Sequence, residues 1–145
     1  MSLDFEERKA IVTYRIEKAV RTIEQAKSNI PMKYWELVAN RMYYAAYYAV
    51  SALLIADKHT AKSHEGIIRI FGLEYVKTGC VPVEMGKLYN KLFTLRLTGD
   101  YNDHYGLEEQ DVLPLLQPTI DLINMASHLA AKSLGIPNQY VDILI

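Results

Sequence analysis

Arg96, Asp100, Tyr101, Asp103, His104 and Tyr105 crowd into one short stretch, RLTGDYNDHY, and they are the side chains of this chain best suited to chemistry on a phosphate. A guanidinium can fork onto phosphate oxygens, a tyrosine ring offers a face on which a base can stack, and an imidazole can carry a proton near neutral pH. Arg96 lies one helical turn beyond Leu92 and Phe93, so it should project from the edge of a buried face rather than from a solvated back. The plainer alternative is that Arg96 pairs with Asp100, one turn on, to tie down a helix end, with His104 a solvated loop residue. A second polar set, Asn40, Arg41 and Tyr44, interrupts an otherwise apolar helix. Arg41 either converges with Arg96 on a ligand or marks where that helix leaves the core. His64 and Glu65 read as capping or surface residues at the start of a short helix, and His59 and His128 stand alone.

Several chemistries find no support. There is no HExxH, CxxC, P-loop or GxGxxG pattern, so the sequence predicts no metal and no cofactor. The formal charge of -1, from 16 Lys plus Arg against 17 Asp plus Glu, excludes binding of nucleic acid by bulk electrostatics. Any anionic ligand must therefore be gripped locally. The one cysteine, Cys80, cannot form an internal disulfide and reads as an inert loop thiol. The N-terminal MSLDFEERKA lacks the apolar centre of a signal peptide, which points to a reducing cytoplasm.

These side chains need elements to hold them. The stretch Tyr34 to Ala56 has no charge, Gly or Pro from Met42 onward and predicts a central helix buried over most of its circumference. Arg41 and Asp57 bracket it too tightly for the roughly 20 apolar residues of a membrane span. Tyr43, Tyr44, Tyr47 and Tyr48 fall on several faces of this helix, and each buried hydroxyl needs a partner at a rim, a cleft or a second chain. Before it, Asp4 and Glu7 have capping-box spacing, and Val12, Ile16, Ala19, Val20 and Ile23 recur on one face of a first helix that should end near Ser28-Asn29. Pro31 is placed to open the central helix. After it, Ser63 caps a short helix that Gly72 should interrupt, a further helical turn through Leu73 and Val76 should end at Gly79, Pro82 opens a fourth helix ending near Leu97, and Thr98 to Leu107 is loop chemistry. Glu108, Glu109 and Asp111 mark the last N-terminus, Pro118 should kink that helix or restart it, and Gly135 with Pro137 stops it. The expectation is an all-α, up-and-down bundle of four long helices plus one short helix, forming a single domain over 1–137 with an apolar tail at 138–145.

The helix NRMYYAAYYAVSALL, the following KSHEGIIRIFGLEYVKTG and the stretch LYNKLFTLRLTGDYND together resemble the HEPN family of small prokaryotic helical domains, from about Trp35 to Val112. The resemblance implies a bundle of four to five helices and a homodimer with a cleft at its interface. Many HEPN proteins are metal-independent ribonucleases, often toxins encoded beside a small nucleotidyltransferase antitoxin. Their signature is an Arg, four to six residues, then a His, in which the Arg binds phosphate and the His assists RNA cleavage. Arg96 matches that arginine, whereas His104 follows after seven intervening residues, one beyond the window. Arg96, Asp100 and Tyr101 resemble instead a branch with Arg, three residues, then Asp-Tyr.

Three functions are thus in play. The first is a binding module, a homodimer whose cleft holds a nucleotide or RNA through Arg96 and Arg41, with Asp100 orienting the guanidinium and Tyr101, Tyr44 and Tyr105 offering rings. A nucleotidyltransferase partner in a toxin-antitoxin-type pair follows from the resemblance. The alternative is a metal-independent endoribonuclease in which Arg96 stabilises phosphate charge and His104 moves the proton. A structural or interaction bundle without a ligand is the third.

Overall fold

The computed structural model describes residues 3–101 and 106–137, and the side chain of Tyr101 falls outside that description. Its helices are α1 (Phe5–Ser28), α2 (Trp35–Ala56), α3 (His64–Phe71), α4 (Val83–Tyr101), a single turn α5 (Glu109–Val112) and α6 (Leu116–Leu134). The four long helices and the short one are those expected; α5 is additional. The chain is an all-α helical bundle, and no strand occurs among the described residues. No described helix is long and apolar enough to cross a membrane.

The elements begin where the local chemistry says they should. Asp4 accepts a hydrogen bond from the Glu7 amide at 2.8 Å, and the Glu7 carboxylate accepts one from the Asp4 amide at 3.1 Å, closing a capping box on α1. Ser63 Oγ accepts from the Gly66 amide at 3.0 Å and starts α3. Gly135 stops α6 in the left-handed conformation at φ 67°.

Helix α2 is the axis of the molecule and packs against α1, α6, α4 and α3. Ala39, Ala45, Ala46, Ala49 and Ala52 are buried along it, and their short side chains let neighbouring helices come close. Val12, Ile23, Met42, Tyr43, Leu53, Tyr89, Leu92, Leu122 and Ile123 fill the interior with little or no exposure.

Two boundaries differ from expectation and two refine it, each for a physical reason. Pro31 does not open α2; it lies in a turn where Lys33 takes φ 59°, and the helix waits until Trp35. Helix α3 ends at Phe71 as expected, but Gly72 keeps helical φ and ψ, so the further turn expected through Leu73 and Val76 follows without a break, as a π-helical turn. Of the two outcomes expected at Pro118, a kink or a restart, the structure has the restart: α6 begins at Leu116 after a tighter turn at Leu113–Leu115, and Pro118 falls in its first turn, where its missing N–H has no intrahelical partner to lose. The largest correction concerns Thr98 to Tyr101, which is helix and not loop. Gly99 is needed there for close approach: a Cβ on it would sit 3.0 Å from Leu107 Cδ1 and 3.5 Å from Glu36 Cα. A glycine that makes room for a neighbour looks, in sequence, like one that ends a helix.

Candidate nucleotide-binding site

The extension of α4 matters because it carries Arg96 and Asp100 alongside α2. On α2, Asn40, Tyr43, Tyr44 and Tyr47 follow i, i+3, i+4, i+7 spacing and form one stripe. On α4, Tyr89, Phe93, Arg96 and Asp100 follow i, i+4, i+7, i+11 spacing and form another. The two stripes meet, and His64, the first residue of α3, closes one end. The chain after the undescribed segment 102–105 is pinned to the start of α2, where the Leu107 amide donates to Glu36 Oε1 at 3.0 Å.

Arg96 is the centre of this arrangement. It is only 8% exposed, and its guanidinium carbon lies 5.0 Å from the Tyr43 ring centroid, 5.5 Å from Tyr44 and 5.7 Å from Phe93. Three rings thus supply the π-faces that a buried cation prefers. Among the described residues its ion-pair partner is Asp100, with Nη1 to Oδ2 at 3.6 Å, a separation of ion pairing rather than of a good hydrogen bond. Among the described residues Arg96 Nε is buried with no hydrogen-bond partner. A buried donor left unmade costs stability, so its retention marks a place where an acceptor is wanted.

Arg41 reaches the same place from α2. Its guanidinium carbon stands 5.4 Å from the Tyr44 ring centroid, so that Arg41 and Arg96 share one ring. Asn40 Oδ1 accepts from Arg41 Nε at 3.0 Å and Nη2 at 2.8 Å, and Gln25 Oε1 accepts from Nη1 at 3.2 Å. Asn40 Nδ2 in turn donates to Asp100 Oδ2 at 3.3 Å. The relay Gln25, Arg41, Asn40, Asp100, Arg96 holds both cations with neutral amides and one half-shared carboxylate. Among the described residues, positive charge is left over for an anion.

His64 was read from sequence as a cap or surface residue, but the fold puts it inside this cluster. Its ring centroid is 4.6 Å from that of Tyr47, 5.6 Å from Tyr43, 5.9 Å from Tyr44 and 6.4 Å from Phe93. Tyr43 Oη and His64 Nδ1 lie 2.5 Å apart. Burial pushes the Tyr43 hydroxyl well above the ordinary tyrosine range, against the pull of Arg96, so it keeps its proton. Burial first, and the Arg96 charge second, hold the His64 imidazole below its usual value, with Glu65 opposing them. Tyr89 stacks on Tyr43 at 6.1 Å between centroids; burial raises its hydroxyl too, and that hydroxyl lies beside Tyr43 without hydrogen-bond geometry to any described atom.

The structure therefore brings together Arg96, Asp100, Arg41 and Tyr44 of the residues singled out from sequence. His104, Tyr105, the Tyr101 side chain and the tail 138–145 lie outside the described residues. Tyr43, Phe93 and His64 were missed. The signal for the first two was the stripe spacing itself; for His64 there was none, since its approach depends on how α3 docks.

The chain belongs to the HEPN domain family, whose model matches residues 12–129. It is 39% identical over 106 residues to a UPF0332 protein of Thermotoga maritima, covering 73% of this chain and 80% of that one. It is also similar to two proteins of Methanocaldococcus jannaschii that carry the name "Putative toxin". One is 29% identical, over 70% of this chain and 69% of its own; the other is 32% identical, over 66% and 71%.

Proposed function

We propose that this chain is a nucleotide- or RNA-binding HEPN protein, a homodimer that acts with a small nucleotidyltransferase in a toxin-antitoxin-type pair. The observation that carries the reading is Arg96: a buried guanidinium faced by three rings, with Nε unpartnered among the described residues and a spare cation, Arg41, on the same tyrosine. Phosphate is the ligand such a pair fits, because Arg presents a planar fork and the rings exclude competing water. Asp100 orients Arg96, and Tyr101, Tyr44 and Tyr105 provide surfaces for a base. The toxin name of two relatives supports the pairing with an antitoxin. Anisotropy of a labelled RNA and of a labelled nucleotide tests it: both should bind the wild-type chain, and Arg96→Ala should reduce binding to background. Equal binding by the variant ends the reading.

A metal-independent ribonuclease is the second reading, favoured by that same toxin name. In it Arg96 stabilises the charge developing on the scissile phosphate, and His104 transfers the proton. Chelator-treated protein should then cleave RNA, and His104→Ala should lose about 100-fold or more. Full activity in that variant removes His104 from the mechanism.

A further inference from the structure

We propose that His64 is the second phosphate-contacting group of the Arg96 site, held in place by Tyr43 so that its Nε2 meets the same phosphoryl oxygens that Arg96 grips. This rests on the reading of Arg96 as a phosphate site and adds a residue from a different helix to it.

The geometry begins with the shared neighbours. The Arg96 guanidinium and the His64 imidazole neighbour the same three rings, Tyr43, Tyr44 and Phe93, at 5.0, 5.5 and 5.7 Å from the guanidinium carbon and 5.6, 5.9 and 6.4 Å from the imidazole centroid. His64 is only partly buried. Nδ1 is taken by Tyr43, while Nε2 has no hydrogen bond to any described residue. With its proton retained, the Tyr43 hydroxyl is able to donate to Nδ1, and in that arrangement the neutral imidazole carries its hydrogen on Nε2. An N–H donor is thereby placed in the ring cluster that the Arg96 guanidinium also touches.

The charges around His64 say when it protonates. From α2 it meets the neutral Tyr43, Tyr44 and Tyr47; from α4, Phe93 and the Arg96 cation, with Asp100 paired to that cation; on α3 its neighbour is Glu65. The positive end of α3 adds to the cost of an imidazolium at its first residue. Near neutral pH the ring is thus neutral, because burial disfavours the imidazolium and the Arg96 charge repels it. An anion between them reverses the balance. A phosphate oxygen accepts from both groups and stabilises the second positive charge, so binding takes up a proton and tightens as pH falls.

The test uses the full chain with two probes, AMP and adenylyl-3′,5′-adenosine. The second has a phosphodiester but no terminal phosphate, so its own ionisation does not change near neutral pH as that of AMP does, with a second pKa of about 6. Long-range proton–nitrogen spectra of the imidazoles report tautomer and titration of His64, without and with each probe. Affinities are measured in parallel for wild type, His64→Gln and Arg96→Ala from mildly acid to mildly alkaline pH. We expect free His64 as the Nε2–H tautomer titrating below 6.5, and an upward shift on binding. His64→Gln should lose the pH dependence and roughly tenfold in affinity or more at the acid end, as for a hydrogen bond to a charged group. A response to AMP alone assigns a terminal phosphate; a response to both probes assigns any phosphoryl group. If the probes bind in an Arg96-dependent way but His64 neither shifts nor matters, the role of His64 is overturned and the Arg96 site stands. If wild type binds neither probe, the site itself fails and His64 with it. The titration on wild-type protein needs no variant to fold.

Discussion

Replacing Arg96 with methionine separates a ligand-binding arginine from a structural one. Three contributions hold the guanidinium: cation–π contact with rings at 5.0, 5.5 and 5.7 Å, the ion pair to Asp100 at 3.6 Å, and packing of the aliphatic stem. The cation–π contacts sum to about 1–2 kcal/mol, since this guanidinium is partly desolvated. The ion pair contributes roughly 0–1 kcal/mol, because Asp100 is exposed to solvent. Against these stands the unpartnered buried Nε, costing about 1–3 kcal/mol. Methionine keeps most of the stem packing, removes the buried donor and gains sulfur–aromatic contacts of about 0.3–1.5 kcal/mol. The balance for Arg96→Met is near zero, within about 1 kcal/mol either way, and so within about 4 °C in Tm for a chain of this size. Thermal and urea unfolding at fixed protein concentration read it, alongside binding of AMP, which should be lost. Destabilisation above about 3 kcal/mol is the size expected when a well-satisfied buried ion pair is broken, and it would refute the reasoning by making Arg96 a tie for the helix end.

Other substitutions probe the scaffold and its protons. Asp4→Ala removes the acceptor at 2.8 Å from the Glu7 amide and should cost about 1 kcal/mol by urea unfolding, with no effect on ligand binding. Gly135→Ala meets no atom within 4 Å, so its cost of about 1–2 kcal/mol should come from the left-handed backbone at φ 67° alone; Gly135→Asn should recover part of it. His64 has a depressed folded-state pKa, so between that value and 6.5 the unfolded chain binds more protons than the folded one. Stability from this group is full above 6.5 and is lost as pH falls through the folded value. The fall in Tm on acidification should therefore be smaller in His64→Gln than in wild type.

Helix periodicity was legible wherever one face alone is buried, as in α1, and where burial is nearly complete, as in α2. Boundaries were less so, because glycines and prolines act through neighbours that a sequence does not display. Gly99 reads as a helix stop until Glu36 and Leu107 are seen against it, and that misreading put Asp100 in a loop. Of the site, Arg96 and Asp100 were visible by their spacing, and Arg41 by its intrusion into an apolar helix. His64 was not, since nothing within α3 says that its first residue will dock on Tyr43.

The measurement that bears most directly on the central claim is the Arg96 Nε–H resonance, followed by proton–nitrogen correlation while AMP or adenylyl-3′,5′-adenosine is added. Nε is buried without a partner among the described residues, so a phosphate arriving at the guanidinium should move this resonance in a saturable way that matches the binding isotherm. Saturable binding that leaves it in place, or no binding by the wild-type chain, would contradict a phosphate site at Arg96.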